Sequence, residues 1–234
     1  MKLLELPRDR DILQNTISKI DYSNALIPNC TKEILEKTCD EALQYRFAAV
    51  AVFPSCVEYI IKRLEGSPVN SQIAVGFPCG NHLTEIKVRE AEIALKMGVK
   101  EVDMVMNINK FFEKDYEYVE NDVRKVVELA KDYGVGVKMI LEVGFLTDEQ
   151  KLIAGNIGVS AGCAFLKTCT GFGPGRATVH DIALLMGAFG DKVKIKASGG
   201  VASLEDATAF IEMGASRSAG RGHMVEQLIT LGWS

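Results

Sequence analysis

Paired cysteines, basic runs and long hydrophobic runs are all missing from this chain, and each absence removes a class of function. The six cysteines (Cys30, Cys39, Cys56, Cys79, Cys163 and Cys169) show no C-x-x-C spacing, so neither a zinc site nor a dithiol redox pair is signalled. Their scatter fits free thiols in a reducing compartment, several of them small core residues. No run of lysine or arginine interrupts a balance of 27 basic against 31 acidic residues and a formal net charge of −4, which leaves no electrostatic footprint for nucleic acid. No apolar stretch approaches the length of a membrane span. The opening segment, Met1 to Arg10, is broken by charge and proline too early for a signal peptide, so the expected setting is cytoplasmic.

What is present is ordinary globular composition, 47% apolar and 25% charged over 234 residues, enough to bury a substantial core. No linker rich in proline, glycine or serine divides the chain, so residues 1–234 are expected to form one domain. A weak helical pattern over Arg8 to Ser18 precedes a predicted strand, Ile20 to Leu26, and a helix from Thr31 to Tyr45 with Thr31 as N-cap. Phe47 to Phe53 is a continuous apolar run stopped by Pro54, as expected of a strand buried on both faces. Ser55 to Leu64 then reads as helix.

The alternation continues. Strands are predicted at Gln72 to Phe77, Lys100 to Met106, Val135 to Glu142, around Lys167, at Lys192 to Ala197 and at Ala215 to Ala219. The intervening helices are Thr84 to Met97 capped by Gly98, Tyr116 to Tyr133, one opened by Thr147-Asp148-Glu149, Thr178 to Phe189, Ser203 to Met213, and a C-terminal helix. Eight rounds of strand then helix predict a single (β/α)₈ barrel, an α/β fold of the TIM type. An open doubly wound sheet is the alternative, and the missing G-x-G-x-x-G after the first strand counts against it.

One stretch stands out chemically. Ala164-Phe165-Leu166-Lys167-Thr168-Cys169-Thr170-Gly171 puts a lysine inside an apolar, strand-like run. A buried ammonium is costly and tends to shed its proton, and a neutral amine suits Schiff-base chemistry with a carbonyl. The competing reading is a lysine at a strand end, snorkelling into water. Catalytic groups of such barrels project from the C-terminal ends of strands, and the period of two turns Asp103, Lys167 and Lys196 inward there. Lys196 is then close enough to Lys167 for its charge to oppose protonation, and Asp103 is placed to organise water and move protons.

With these motifs assembled, the sequence resembles the deoxyribose-phosphate aldolases over nearly its whole length. The resemblance rests on Ala74-Val75-Gly76-Phe77-Pro78-Cys79-Gly80, Lys87 with Glu90, Glu101 to Asn107, Lys138 to Glu142, Phe165 to Phe172, and Lys196-Ala197-Ser198-Gly199-Gly200-Val201. It implies a class I aldolase without metal or organic cofactor, in which Lys167 forms the Schiff base, Lys196 perturbs it and Asp103 relays protons. Its substrate would be a small aldehyde or sugar phosphate, with 2-deoxyribose 5-phosphate the default, and homodimers or homotetramers are common in the family.

Substrate contacts are expected from Asp21 and Ser23, which match the family's Asp-His-Thr only in part, and from Thr170, Gly171, Gly199, Gly200, Gly220 and Arg221. Gly173, Gly175 and Arg176 are further candidates for anion contacts. Two departures matter. Ala202 stands where the family usually carries a basic residue, and Arg217-Ser218-Ala219-Gly220-Arg221-Gly222 lacks its usual serines. Arg221 is expected either to restore the lost charge or to cover the last helix. The Leu231-Gly232-Trp233-Ser234 ending lacks the tyrosine found in some members, so proton transfer would rest on Asp103, Lys196 and water. Two other readings stay open: an aldolase of the same mechanism acting on a different, non-phosphorylated aldehyde, and a non-catalytic barrel that binds a metabolite.

Overall fold

Runs such as Ala49 to Val52 offer no polar face to water, and the chain buries them on both sides. The computed structural model describes residues 9–233. Eight parallel strands close into a barrel in chain order: β1 (Ile20–Tyr22), β2 (Ala49–Val52), β3 (Asn70–Val75), β4 (Glu101–Val105), β5 (Val137–Ile140), β6 (Phe165–Lys167), β7 (Lys194–Ala197) and β8 (Arg217–Gly220). Pairing of β8 with β1 completes the ring, which rules out the open sheet.

The helices are α1 (Arg10–Ile17), α2 (Lys32–Tyr45), α3 (Val57–Leu64), α4 (Thr84–Met97), α5 (Ile108–Phe112), α6 (Tyr116–Lys131), α7 (Asp148–Ser160), α8 (Val179–Phe189), α9 (Leu204–Glu212) and α10 (Gly222–Thr230). Their starts follow local chemistry. Side chains of Thr31, Thr178 and Ser203 accept backbone N–H groups of the first turns of α2, α8 and α9, and Thr147 with Gln150 forms a reciprocal capping box on α7. Gly98 ends α4 in the left-handed region.

Strand ends differ from the sequence prediction. The first ladder stops at Tyr22 because the chain turns there, Ser23 N donating to Gly220 O at 2.9 Å. An apolar run signals burial, but neighbouring strands decide where pairing stops. The short helix α5, capped by Asn107, had no periodic pattern long enough to announce it. The predicted start of the first helix, Arg8, lies outside the described residues, as do Met1 to Pro7 and Ser234.

Lys87 and Glu90 turn out to be fasteners of α4. Lys87 Nζ reaches Asp122 on α6 at 2.6 Å and Val105 O at 3.1 Å, both ionic side chains fully buried. Glu90 accepts Gly76 N at 2.6 Å. Removing one partner of such a buried pair costs about 3–5 kcal/mol, since the other charge is stranded.

Candidate active site

Inward positions on six strands assemble a buried network of charge around Asp103 of β4. Asp103 Oδ2 accepts from Lys167 Nζ of β6 and from Lys196 Nζ of β7, both at 2.8 Å, and Oδ1 lies 3.0 Å from Lys138 Nζ of β5. Asp21 of β1 takes Lys196 Nζ on Oδ2 and Arg217 Nη1 of β8 on Oδ1, each at 2.5 Å. Glu101 of β4 accepts from Arg217 Nη2 at 2.9 Å and pairs with Lys138. Register explains the convergence. Lys167 stands opposite Lys196, and Asp103 opposite Lys138, so their side chains share a face.

Burial is the first cause acting on Lys167: it pulls the ammonium pKa down, Asp103 pushes it back up and Lys196 lowers it again, leaving it at about 8. Among the causes that lower it, repulsion from Lys196 comes second to desolvation, because Lys167 is only 4% exposed. For Asp103 burial alone is unfavourable to charge, yet Lys138, Lys167 and Lys196 outweigh it and hold the carboxyl well below the usual range. Lys138 is likewise kept charged, its burial overcome by Asp103, Asp21 and Glu101. The nearby Cys169 thiol is pushed up to about 12, chiefly by burial, so its reactive thiolate form is disfavoured.

The charges also balance in an informative way. With Lys167 neutral, three carboxylates (Asp21, Glu101 and Asp103) face three cations (Lys138, Lys196 and Arg217). Protonating Lys167 adds an uncompensated positive charge in a low dielectric. The arrangement thus raises the share of the neutral amine, the form that attacks carbonyls, above that of an ordinary lysine.

A cavity of about 300 Å³ opens just past the strand ends, beginning three residues beyond Lys167 and two beyond Lys196. Ser23, Thr170, Gly171, Gly199, Gly200, Gly220 and Arg221 all line it, with Ser198, Ala202 and His223. Asp21 is the exception among the expected substrate contacts. It is 1% exposed and held by Lys196 and Arg217, while Ser23, two residues further along, is the polar group from the end of β1 that reaches the cavity. Gly199 and Gly200 have φ of +86° and +63°, and a Cβ on them would stand 2.5 Å from Cys169 Cβ and 2.6 Å from Arg176 Cβ. The turn therefore needs glycine twice, and it brings bare backbone to the cavity wall. Arg221 occupies the N-cap position of α10 without making a side-chain capping bond, and it lines the cavity.

Glu142, in the left-handed region with φ 53°, accepts hydrogen bonds from the N–H and hydroxyl of Thr170. This anchors the loop after β6. From that loop Phe172 leans to the other side of the barrel mouth, 5.2 Å from the Phe77 ring and 6.4 Å from that of Phe53, both edge to face. The result is an apolar cover from the ends of β2, β3 and β6.

Sequence reasoning missed the parts that Lys138, Glu101 and Arg217 play in the network, and it missed His223. Inward parity applies to Glu101 as it does to Asp103, two residues further along β4. Lys138 carried the same signal as Lys167, a lysine within an apolar strand, and only its three carboxylate neighbours, Asp21, Glu101 and Asp103, distinguish it as a fixed cation. Nothing local marks Arg217 or His223.

Comparison with known proteins agrees with this geometry. The model of the DeoC/LacD family aldolases matches residues 12–225. The deoxyribose-phosphate aldolase of Caldanaerobacter subterraneus subsp. tengcongensis is 43% identical over 211 residues, covering 90% of this chain and 91% of that protein. That of Thermococcus kodakarensis is 44% identical over 200 residues, 85% of this chain and 89% of its own. The tetrameric deoxyribose phosphate aldolase of Aeropyrum pernix superposes with a TM-score of 0.84 at 28% identity, covering 96% of this chain and 99% of that one. An intact barrel, a matched family model and relatives of this closeness place the chain in the DeoC/LacD family of aldolases, and it is a carbon–carbon lyase.

Proposed function

We propose that this chain catalyses the reversible cleavage of 2-deoxyribose 5-phosphate to acetaldehyde and glyceraldehyde 3-phosphate through a Schiff base on Lys167. The observation that carries the reading is an amine at about pKa 8, bonded to Asp103 and sharing that carboxylate oxygen with Lys196. The substrate is supported by the relatives named above.

Neutral Lys167 Nζ attacks the aldehyde carbon of the open-chain sugar, and loss of water gives an iminium ion. The C3 hydroxyl gives up its proton, the C2–C3 bond breaks, its electron pair flows toward the iminium nitrogen, and glyceraldehyde 3-phosphate leaves. The enamine takes a proton at C2. Water then hydrolyses the iminium, releasing acetaldehyde and the free amine. Asp103, 2.8 Å from Nζ, is suited to shuttle these protons through water. Lys196 disfavours protonation of Lys167, and Asp21 holds Lys196 in place.

The amides of Gly199 and Gly200, the start of α10 and Arg221 form the proposed phosphate end of the cavity, with Ser23, Thr170, Gly171 and Gly220 lining the remainder. Ala202, whose N–H is taken by Asp206 at 3.0 Å, favours a second reading in which the aldehyde is not phosphorylated. The tetrameric archaeal relative supports a homo-oligomer, a dimer or tetramer, and six free cysteines suit a cytoplasmic setting. No helix among the described residues is long and apolar enough to cross a membrane.

The test is borohydride reduction with acetaldehyde, and separately with 2-deoxyribose 5-phosphate, followed by peptide mapping. An adduct on Lys167 from both is the expected result. An adduct from acetaldehyde alone moves the substrate to another aldehyde, and no selective adduct on Lys167 ends the proposal.

A further inference from the structure

The phosphate end of the cavity has more charge to meet than Arg221 alone supplies. A phosphate monoester carries about −1.5 to −2 charges at pH 7, and Arg221 is the only permanently charged side chain in the wall of the 300 Å³ cavity. Backbone donors at this corner are partly in use already. Gly222 N–H, the first of α10, is taken by Asn24 Oδ1 at 3.2 Å, and Ala202 N–H by Asp206 at 3.0 Å. Side chains must supply more, and His223 is the only other residue of that wall able to carry positive charge.

His223 stands in the first turn of α10, next to Gly222. It lines both the cavity and a neighbouring cleft of about 500 Å³, which it walls with Ala202, Glu226 and Gln227. Its Nε2 atom is buried and finds no hydrogen-bond partner among the described residues. A polar atom is costly to leave that way, and this one calls for a partner that the protein itself does not provide. Open space on two sides gives the ring room to turn Nε2 toward a ligand.

The charges set around the residue do not forbid a positive ring. Arg221 and Glu226 share α10 with it, Asp206 of α9 reaches Ala202, Glu205 of α9 is held by Gln227 at 2.9 Å, and Arg176 packs behind Gly200. The loop after β1 adds only the uncharged Ser23 and Asn24. What opposes the charge in the empty site is its place at the start of a helix, where the dipole favours anions. A bound dianion reverses that balance and draws a proton from the buffer onto the ring.

We propose that His223 is a second side-chain contact to the substrate's phosphate, taking up a proton as the dianion binds and donating from Nε2 to one of its oxygens. The inference rests on the phosphorylated substrate proposed above and names a side chain that selects for it.

Calorimetry of the full chain with sulfate, a dianion with no titrating proton near neutrality, tests it in buffers of different ionisation enthalpy. Wild type should take up roughly half a proton or more per sulfate bound. His223→Gln keeps a donor but cannot be charged, so its uptake should be far smaller. In turnover, His223→Leu should cut the preference for 2-deoxyribose 5-phosphate over 2-deoxyribose roughly 10-fold or more, through KM, and His223→Gln should recover part of it. An equal proton count in wild type and His223→Gln, or an unchanged preference in His223→Leu, overturns the role of His223 and leaves the phosphorylated substrate standing. A wild type that neither binds sulfate nor prefers the phosphorylated sugar overturns both.

Discussion

Replacing Lys196 with methionine isolates the part that its charge plays at Lys167. The two amines share one Asp103 oxygen at 2.8 Å each, so they stand within twice that distance of one another. With an effective dielectric of about 20, two charges so placed repel by about 3 kcal/mol, equivalent to about two pH units. Removing Lys196 also leaves Asp103 and Asp21 with one cation fewer, which adds to the pull on Lys167's proton. Both effects act in one direction, so the Lys167 pKa should climb from about 8 to roughly 10. At pH 7 the neutral fraction would fall from roughly 1 in 10 to roughly 1 in 1000, slowing capture of acetaldehyde about 100-fold. The assay is the pH dependence of borohydride trapping, read by intact mass. The acid limb should move upward by about two pH units in the methionine variant and stay near its original place in Lys196→Arg, which keeps the charge. A limb that does not move, with the rate reduced equally at every pH, would refute the charge argument and leave Lys196 acting through direct contact with substrate.

Lys167→Met should abolish the adduct and stabilise the fold. The folded state lowers the lysine pKa from 10.5 to about 8, so at pH 7 the buried ammonium costs about 3 kcal/mol, which methionine relieves. The sign is fixed by proton uptake. Between about pH 8 and 10.5 the unfolded chain keeps the proton and the folded chain does not, so wild-type stability rises there and the gap to Lys167→Met closes. Denaturant melts at pH 7 and at pH 10 check this, and equal stability of the two proteins at pH 7 contradicts it. Arg221→Ala should raise KM for phosphorylated aldehydes by roughly 10- to 100-fold, the value of a charge-assisted hydrogen bond, and spare neutral ones. Steady-state kinetics on both substrate types decide, and equal effects would remove Arg221 from anion binding.

Much of this protein follows from local sequence. Caps at Thr31, Thr147, Thr178 and Ser203 start four helices through hydrogen bonds that span only three residues, and a lysine in the apolar run Phe165 to Lys167 already advertises unusual chemistry. Parity along a strand also told which way Asp103, Lys167 and Lys196 face, since alternate residues share a side.

Partner identity is another matter. Lys167 and its carboxylate are 64 residues apart, and Arg217 and Asp21 are separated by 196. Barrel closure and strand register brought them together, and burial rather than any neighbour became the first cause of the low lysine pKa. The same limit hid the exposure of Leu83, Ile86, Ile93 and Met97 in and beside α4. Its apolar residues read in sequence as part of an amphipathic helix, and only packing of the opposite face against α6 and the barrel left them outside. Local pattern fixes which residues avoid water and which face they take, because those depend on near neighbours along the chain. Which charge meets which, and which apolar face stays bare, depends on contacts between segments distant in sequence, and only the closed barrel supplies them.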